Sequence, residues 1–156
     1  MLALFAIYAV MALAFNAYTP PLVLLLTIPF GFIGALAGHL IMGLNLTMLS
    51  IFGLIGLSGV IINDALLMLD FIEEKHRQGV AMAEAVVDSA LARFRPILLT
   101  SLTTFFGVFP LILERSVQAK FLLPTAVSLG FGILFGTLLL MLLVPALVML
   151  TGRSQA

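Results

Sequence analysis

The sequence predicts an all-α fold built for a membrane, on three observations. Only 9% of its 156 residues are charged and 63% are hydrophobic, whereas a soluble domain carries roughly a quarter charged residues. The charges are segregated: no Asp, Glu, Lys or Arg occurs from Met1 to Asn63, from Pro96 to Leu113 or from Phe121 to Thr151. Ten of the fourteen charged residues lie between Asp64 and Arg95. Long apolar blocks around one charged segment mark a multi-pass membrane protein rather than a water-soluble core.

The elements follow from length and punctuation. Crossing about 30 Å of hydrocarbon takes about 20 apolar residues at 1.5 Å each. Residues 2–18 are a short first span, ended by Asn16-Ala-Tyr-Thr-Pro-Pro21, because proline opens a helix but cannot continue one. Residues 22–42 are the second span, with Pro29 at a kink position and Gly34 and Gly38 on one small-residue face. That G-x-x-x-G spacing lets another helix approach closely. After the tight Gly43-Leu-Asn-Leu46 connection, residues 47–72 form the third span, which carries Gly53, Gly56 and Gly59 and then Asn63, Asp64 and Asp70. Residues 80–94 repeat Ala83, Val86, Val87, Ala90, Leu91 and Phe94 at helical spacing. That segment is amphipathic, too short and too charged to span, and reads as a separate helix along the membrane surface. Residues 96–113 are the fourth span, with Pro96 at its start, and residues 122–150 the fifth, with Gly132 and Gly136 spaced as G-x-x-x-G. The expected architecture is five transmembrane helices plus one short cytoplasmic amphipathic helix, in a single membrane domain over residues 1–156.

Orientation follows from Lys and Arg. The segment between the third and fourth spans holds Lys75, Arg77, Arg93 and Arg95, and the tail holds Arg153; the opposite side has Arg115 and Lys120. The positive-inside rule puts the 80–94 segment and the C-terminus in the cytoplasm. Five spans then put Met1 outside, with no basic signal-peptide start. This is expected where a large external domain precedes Met1.

Composition also excludes chemistries. Net charge is zero, so no nucleic-acid partner is suggested. There is no cysteine, and His39 and His76 are the two histidines, which makes a structural zinc site improbable. No nucleotide fingerprint, phosphate loop or nucleophile–base pair is found, so no cofactor is expected and soluble enzyme catalysis has no support.

Asp64 is the sharpest signal. It sits about two-thirds of the way along an apolar span, followed by Ala-Leu-Leu-Met-Leu. A carboxylate at that depth costs a few kcal/mol. It must face the bundle interior, find a partner or carry a proton, and each option suits a proton carrier. Asn63 is one residue, about 100° of helix, away and borders the same region. Thr100, Ser101, Thr103 and Thr104 form a hydroxyl cluster in the fourth span, suited either to proton relay or to bonding the i−4 carbonyl. Arg93 and Arg95 are anchors at the cytoplasmic face, and Arg93 can also turn inward to a carboxylate. His39, near the far end of its span, reads as a hydrogen-bonded structural residue.

Several stretches resemble the C-terminal membrane segment of RND (resistance–nodulation–division) efflux permeases. They are Ile28-Pro-Phe-Gly-Phe-Ile-Gly-Ala-Leu36, Gly53-Leu-Ile-Gly-Leu-Ser-Gly-Val-Ile-Ile-Asn-Asp-Ala-Leu-Leu-Met-Leu-Asp-Phe71, Arg93-Phe-Arg-Pro-Ile-Leu-Leu-Thr-Ser-Leu102 and Gly107-Val-Phe-Pro-Leu111. The match is collinear and spans nearly the whole chain. It implies half of a twelve-helix bundle, its eighth through twelfth helices, in a proton antiporter of the bacterial inner membrane. That antiporter would be a homotrimer, working with a periplasmic adaptor and an outer-membrane channel. The resemblance implies that the proton-coupling positions are Asn63, Arg93 and Thr100, with Asp64 beside them. In drug-exporting relatives the position of Asn63 is a lysine. Its loss removes the positive partner of the coupling scheme, and Asp64 is the candidate for a different titrating group. Gly34, Gly38, Gly56, Gly132 and Gly136 are the helix-packing candidates. Two other readings are an RND relative exporting lipid or metal, and a small standalone membrane protein acting as an assembly or regulatory subunit.

Overall fold

A computed structural model describes residues 25–114 and 116–152, together with Phe5, Tyr8, Ala9, Ala12 and Leu13. These residues contain four helices: α1 (Ile28–Met42), α2 (Met48–Arg77), α3 (Met82–Leu113) and α4 (Val117–Gly152). Three of them, α2, α3 and α4, are long and apolar enough to cross a membrane, and α1 is a shorter apolar helix. The protein is a multi-pass helical membrane protein.

This corrects the count of five spans plus one surface helix. The expected first span, the break at 16–21, the start of the second span and Arg153 lie outside the described residues apart from the five positions named. The expected surface helix over 80–94 and the span over 96–113 are one continuous helix, α3, with Pro96 inside it. Proline there removes one backbone hydrogen bond. Packing offsets that loss: Val86, before Pro96, and Ile97, after it, are both buried. Val86 joins the same core cluster as Val144 and Val148 of α4. Helix α4 runs on beside α3 past the proline, so a bend toward the membrane plane would strip both helices of contacts.

The connections are made by local chemistry. Gly43 ends α1 with φ 64°, a left-handed conformation that costs glycine little. Its neighbour Leu44 donates its N–H to His39 O at 2.9 Å. Thr47 and Ser50 form a capping box that starts α2. Gly79, at φ 89°, turns the chain from α2 into α3, where Lys75 lies 3.5 Å from Asp88. That ion pair is partly exposed and contributes little, about 0.5 kcal/mol.

Helix α4 packs against each of the other three. Glycines set the closeness of these contacts. A methyl group on Gly34 would collide with Phe135 and meet Phe131 O at 2.9 Å, and one on Gly38 would meet Phe131 Cβ at 2.6 Å. Gly132 seats Leu57, and Gly136 seats Ile61, while a carbon added at Gly136 would lie 3.3 Å from Gly31 Cα. Helices α1, α2 and α4 therefore meet at Gly31, Ile61 and Gly136. The buried core around this junction includes Leu57, Ile61, Ala65, Met68, Ile133 and Leu140.

Candidate functional site

Asp64 is buried, at 4% exposure, on the side of α2 that looks into the helix group. The amide of Asn63 is the polar group beside its carboxylate. Asn63 itself is exposed. One residue of helix, about 100°, thus separates an inward carboxylate from an outward amide.

Arg93 stands against α2. Its guanidinium carbon lies 4.8 Å from the centre of the Phe71 ring, within cation–π range. Its Nε is buried and has no hydrogen-bond partner among the described residues. No described residue forms a salt bridge between Arg93 and Asp64; the described ion pairs are Lys75–Asp88 and Arg77–Glu74.

The register of α2 and α3 brings further residues to one level. The two helices run in opposite directions and touch at Phe71 and Arg93. Asp64 lies two turns before Phe71 on the same side of α2, and Thr100 lies two turns after Arg93 on the same side of α3. Each step is about 10 Å along its axis. Asp64 and Thr100 therefore stand level across the gap between α2 and α3. Thr100 is exposed there.

The hydroxyl cluster divides in two. Thr100, Thr103 and Thr104 each donate to a carbonyl of their own helix, at 2.8 Å to Pro96 O, 2.9 Å to Leu99 O and 2.8 Å to Thr100 O. Ser101 is buried and donates to Ile97 O at 2.9 Å. Its oxygen lies 2.6 Å from the Thr137 hydroxyl on α4. Ser101 has one hydrogen and gives it to Ile97, so Thr137 is the donor. Thr137 follows Gly136, which packs on Ile61 one turn before Asp64. The Ser101–Thr137 pair thus occupies the same layer as Asp64. Sequence reasoning placed Ser101 in the cluster but did not single it out, and it missed Thr137. The available signal was that Ser101 lies one turn from Ile97 on an apolar face.

His39 is 2% exposed. Its Nδ1 donates to Ala35 O at 2.9 Å, and in the neutral ring Nε2 accepts from Ser50 Oγ at 2.8 Å. Thr125 Oγ1 donates to Leu49 O at 2.7 Å and ties α4 to the start of α2.

The glycines divide as well. Gly34, Gly38, Gly132 and Gly136 sit at tight helix contacts. Gly56 is exposed, and a methyl there would meet only Leu129 Cδ1 at 3.8 Å. Gly56, Gly59, Asn63, Leu67 and Asp70 form an exposed stripe along α2, and Pro96, Thr100, Thr103 and Gly107 form another along α3. Among the described residues no group of three or more His, Cys, Asp or Glu side chains is arranged to hold a metal ion.

Residues 1–152 match the family model described as the AcrB/AcrD/AcrF family. Two crystal forms of a heavy metal efflux pump are similar in structure, with TM-scores of 0.88 and 0.85 and 26% sequence identity. In both comparisons 97% of this chain is covered, and the chain spans 15% of the pump's length. The collinear motifs, the helical architecture and the family match agree, and the chain belongs to the AcrB/AcrD/AcrF family of RND permeases.

Proposed function

We propose that this chain is the C-terminal membrane domain of a proton-driven RND efflux permease and supplies half of its proton-coupling bundle. The observation that carries the reading is the buried carboxylate of Asp64, level with Thr100 and two turns from Arg93 on its Phe71 seat. A carboxylate held in a membrane interior is costly to keep charged and is therefore responsive to a proton. Proton arrival at Asp64 removes a charge from the layer that holds Ser101 and Thr137. The contacts of α2 with α3 and α4 then change, and the change reaches the exporting domain. Arg93, with an unbonded Nε, is the cation that this charge attracts or releases. Asn63 faces the other way and lines the contact with the remaining helices.

The whole chain corresponds to the eighth through twelfth helices of the bundle, in the inner membrane of a bacterium. The α2–α3 turn and the C-terminus face the cytoplasm, as the cationic residues there support. The whole permease is a homotrimer joined to a periplasmic adaptor and an outer-membrane channel, and its cargo is an amphiphile. The similarity to a heavy metal efflux pump supports a second reading, metal cargo. Export assays of the intact protein with amphiphilic dyes and with transition-metal salts separate the two.

The test of the coupling role is Asp64→Asn in the intact transporter, reconstituted in vesicles with an imposed proton gradient. Export driven by the gradient is expected to fall to background while expression and trimer formation persist. Wild-type export with an unchanged dependence on the gradient would remove Asp64 from the mechanism.

A further inference from the structure

The wall between α3 and α4 holds two apolar cavities that proton coupling leaves unused. One, of about 240 Å³, is lined by Phe94, Leu98, Thr137, Leu138, Met141 and Leu142. The other, of about 340 Å³, shares Met141 and Leu142 and continues along Val87, Leu91, Pro145 and Met149. The one polar liner of the first cavity, Thr137, has its hydroxyl engaged by Ser101 at 2.6 Å. Thr137 spends its one hydrogen on Ser101 and the other liners are apolar, so the cavity offers no free donor and suits hydrocarbon. The groove opens outward: Leu91 and Leu142 are each 72% exposed and Leu138 is 59% exposed.

Arg95 stands beside this groove. It follows Leu91 by four residues and precedes Leu98 by three, so it shares their surface of α3 and lies between the two cavities. It is exposed and makes no ion pair among the described residues. From Pro96 to Leu113 the helix carries no charge. That run is about 27 Å long, close to the hydrocarbon thickness of about 30 Å. Arg95 is therefore at the edge of the hydrocarbon, at the depth of lipid phosphate. The smaller cavity lies on the membrane side of it.

We propose that the α3–α4 groove seats one phospholipid with an anionic headgroup. An acyl chain fills the cavity of Phe94, Leu98, Leu138 and Met141, and the guanidinium of Arg95 holds the phosphate and headgroup. The acyl chain replaces a void that would otherwise lack contacts on one side, and the arginine selects for negative charge at the surface. This site rests on the bilayer as solvent and is independent of the role of Asp64.

The experiment is native mass spectrometry of the intact transporter, stripped of lipid in detergent. Phosphatidylglycerol or phosphatidylcholine with identical acyl chains is then added. Phosphatidylglycerol is expected to bind one site per protomer about fivefold more tightly than phosphatidylcholine. Arg95→Gln is expected to abolish that preference and Arg95→Lys to retain most of it. Leu138→Trp, at an exposed wall position, is expected to weaken both lipids. Equal affinity for the two lipids in the wild type, or unchanged binding in Leu138→Trp, would overturn the site. A change in subunit number in Leu138→Trp would overturn it too, by assigning the groove to a protein neighbour.

Discussion

Ser101 and Thr137 show how much a single hydroxyl can decide inside a membrane. Ser101 gives its hydrogen to Ile97 O, and Thr137 completes the pair across the α3–α4 contact at 2.6 Å. Interhelical hydrogen bonds of this kind average about 0.6 kcal/mol in membranes and reach about 1.7 kcal/mol. Thr137→Ala leaves Ser101 still bonded to Ile97, so it is expected to cost about 1 kcal/mol. Ser101→Ala should cost a similar amount, and the double variant less than the sum. A double-mutant cycle on reversible unfolding in detergent measures the coupling; additive losses would mean that the two hydroxyls do not act as a pair. At this scale Asp64 was legible in the sequence because a charge stands out in an apolar run. Ser101 was not, because four hydroxyls in five residues look alike until the helix phase is fixed. The burial of Asp64 beside an exposed Asn63 shows the same limit. The sequence puts them about 100° apart and does not say which one faces inward.

The scale of the element is where proline misled. A surface helix ending at Phe94 and a span starting at Pro96 is the natural reading of a charged segment, a proline and an apolar run. The structure runs α3 from Met82 to Leu113 without a break. Local signals favoured the boundary, and contact with α4 overrode them. The third span and the α1–α2 connection were legible from an apolar run and the Gly43–Leu46 break; the left-handed Gly43 and the Thr47–Ser50 capping box are what the structure adds. Continuity of α3 is measurable with spin labels at the exposed positions Glu84 and Phe106. A straight helix over 22 residues puts their backbones about 33 Å apart, whereas a right-angled bend at Arg95 brings them to about 23 Å. Double electron–electron resonance on the intact transporter should give the longer distance. The shorter one would restore the surface-helix reading.

At the scale of the whole molecule, two kinds of glycine separate what this chain does for itself from what it offers to others. Gly34 sits where a side chain would strike Phe135 and the carbonyl oxygen of Phe131, 2.9 Å from the added carbon. Backbone cannot move aside as a flexible side chain can, so Gly34→Leu should destabilise the α1–α4 contact by about 1–3 kcal/mol. Gly59 has nothing within 4 Å of an added carbon, and it lies on the exposed stripe of α2 with Gly56, Asn63 and Asp70. Lipid is a poor neighbour for an amide and a carboxylate, and small residues in a membrane helix favour close approach of another helix. On that argument we propose that the stripe seats helices from the rest of the permease. Gly59→Leu should then behave differently in the two contexts. In this chain expressed alone it should be neutral or slightly stabilising, by up to about 1 kcal/mol, because leucine is the better helix former. In the intact transporter it should lower both the melting temperature and export, whereas Gly34→Leu should lower the melting temperature in either context. If Gly59→Leu leaves the intact transporter unchanged, the stripe faces lipid. The polar residues along it would then need a partner of another kind.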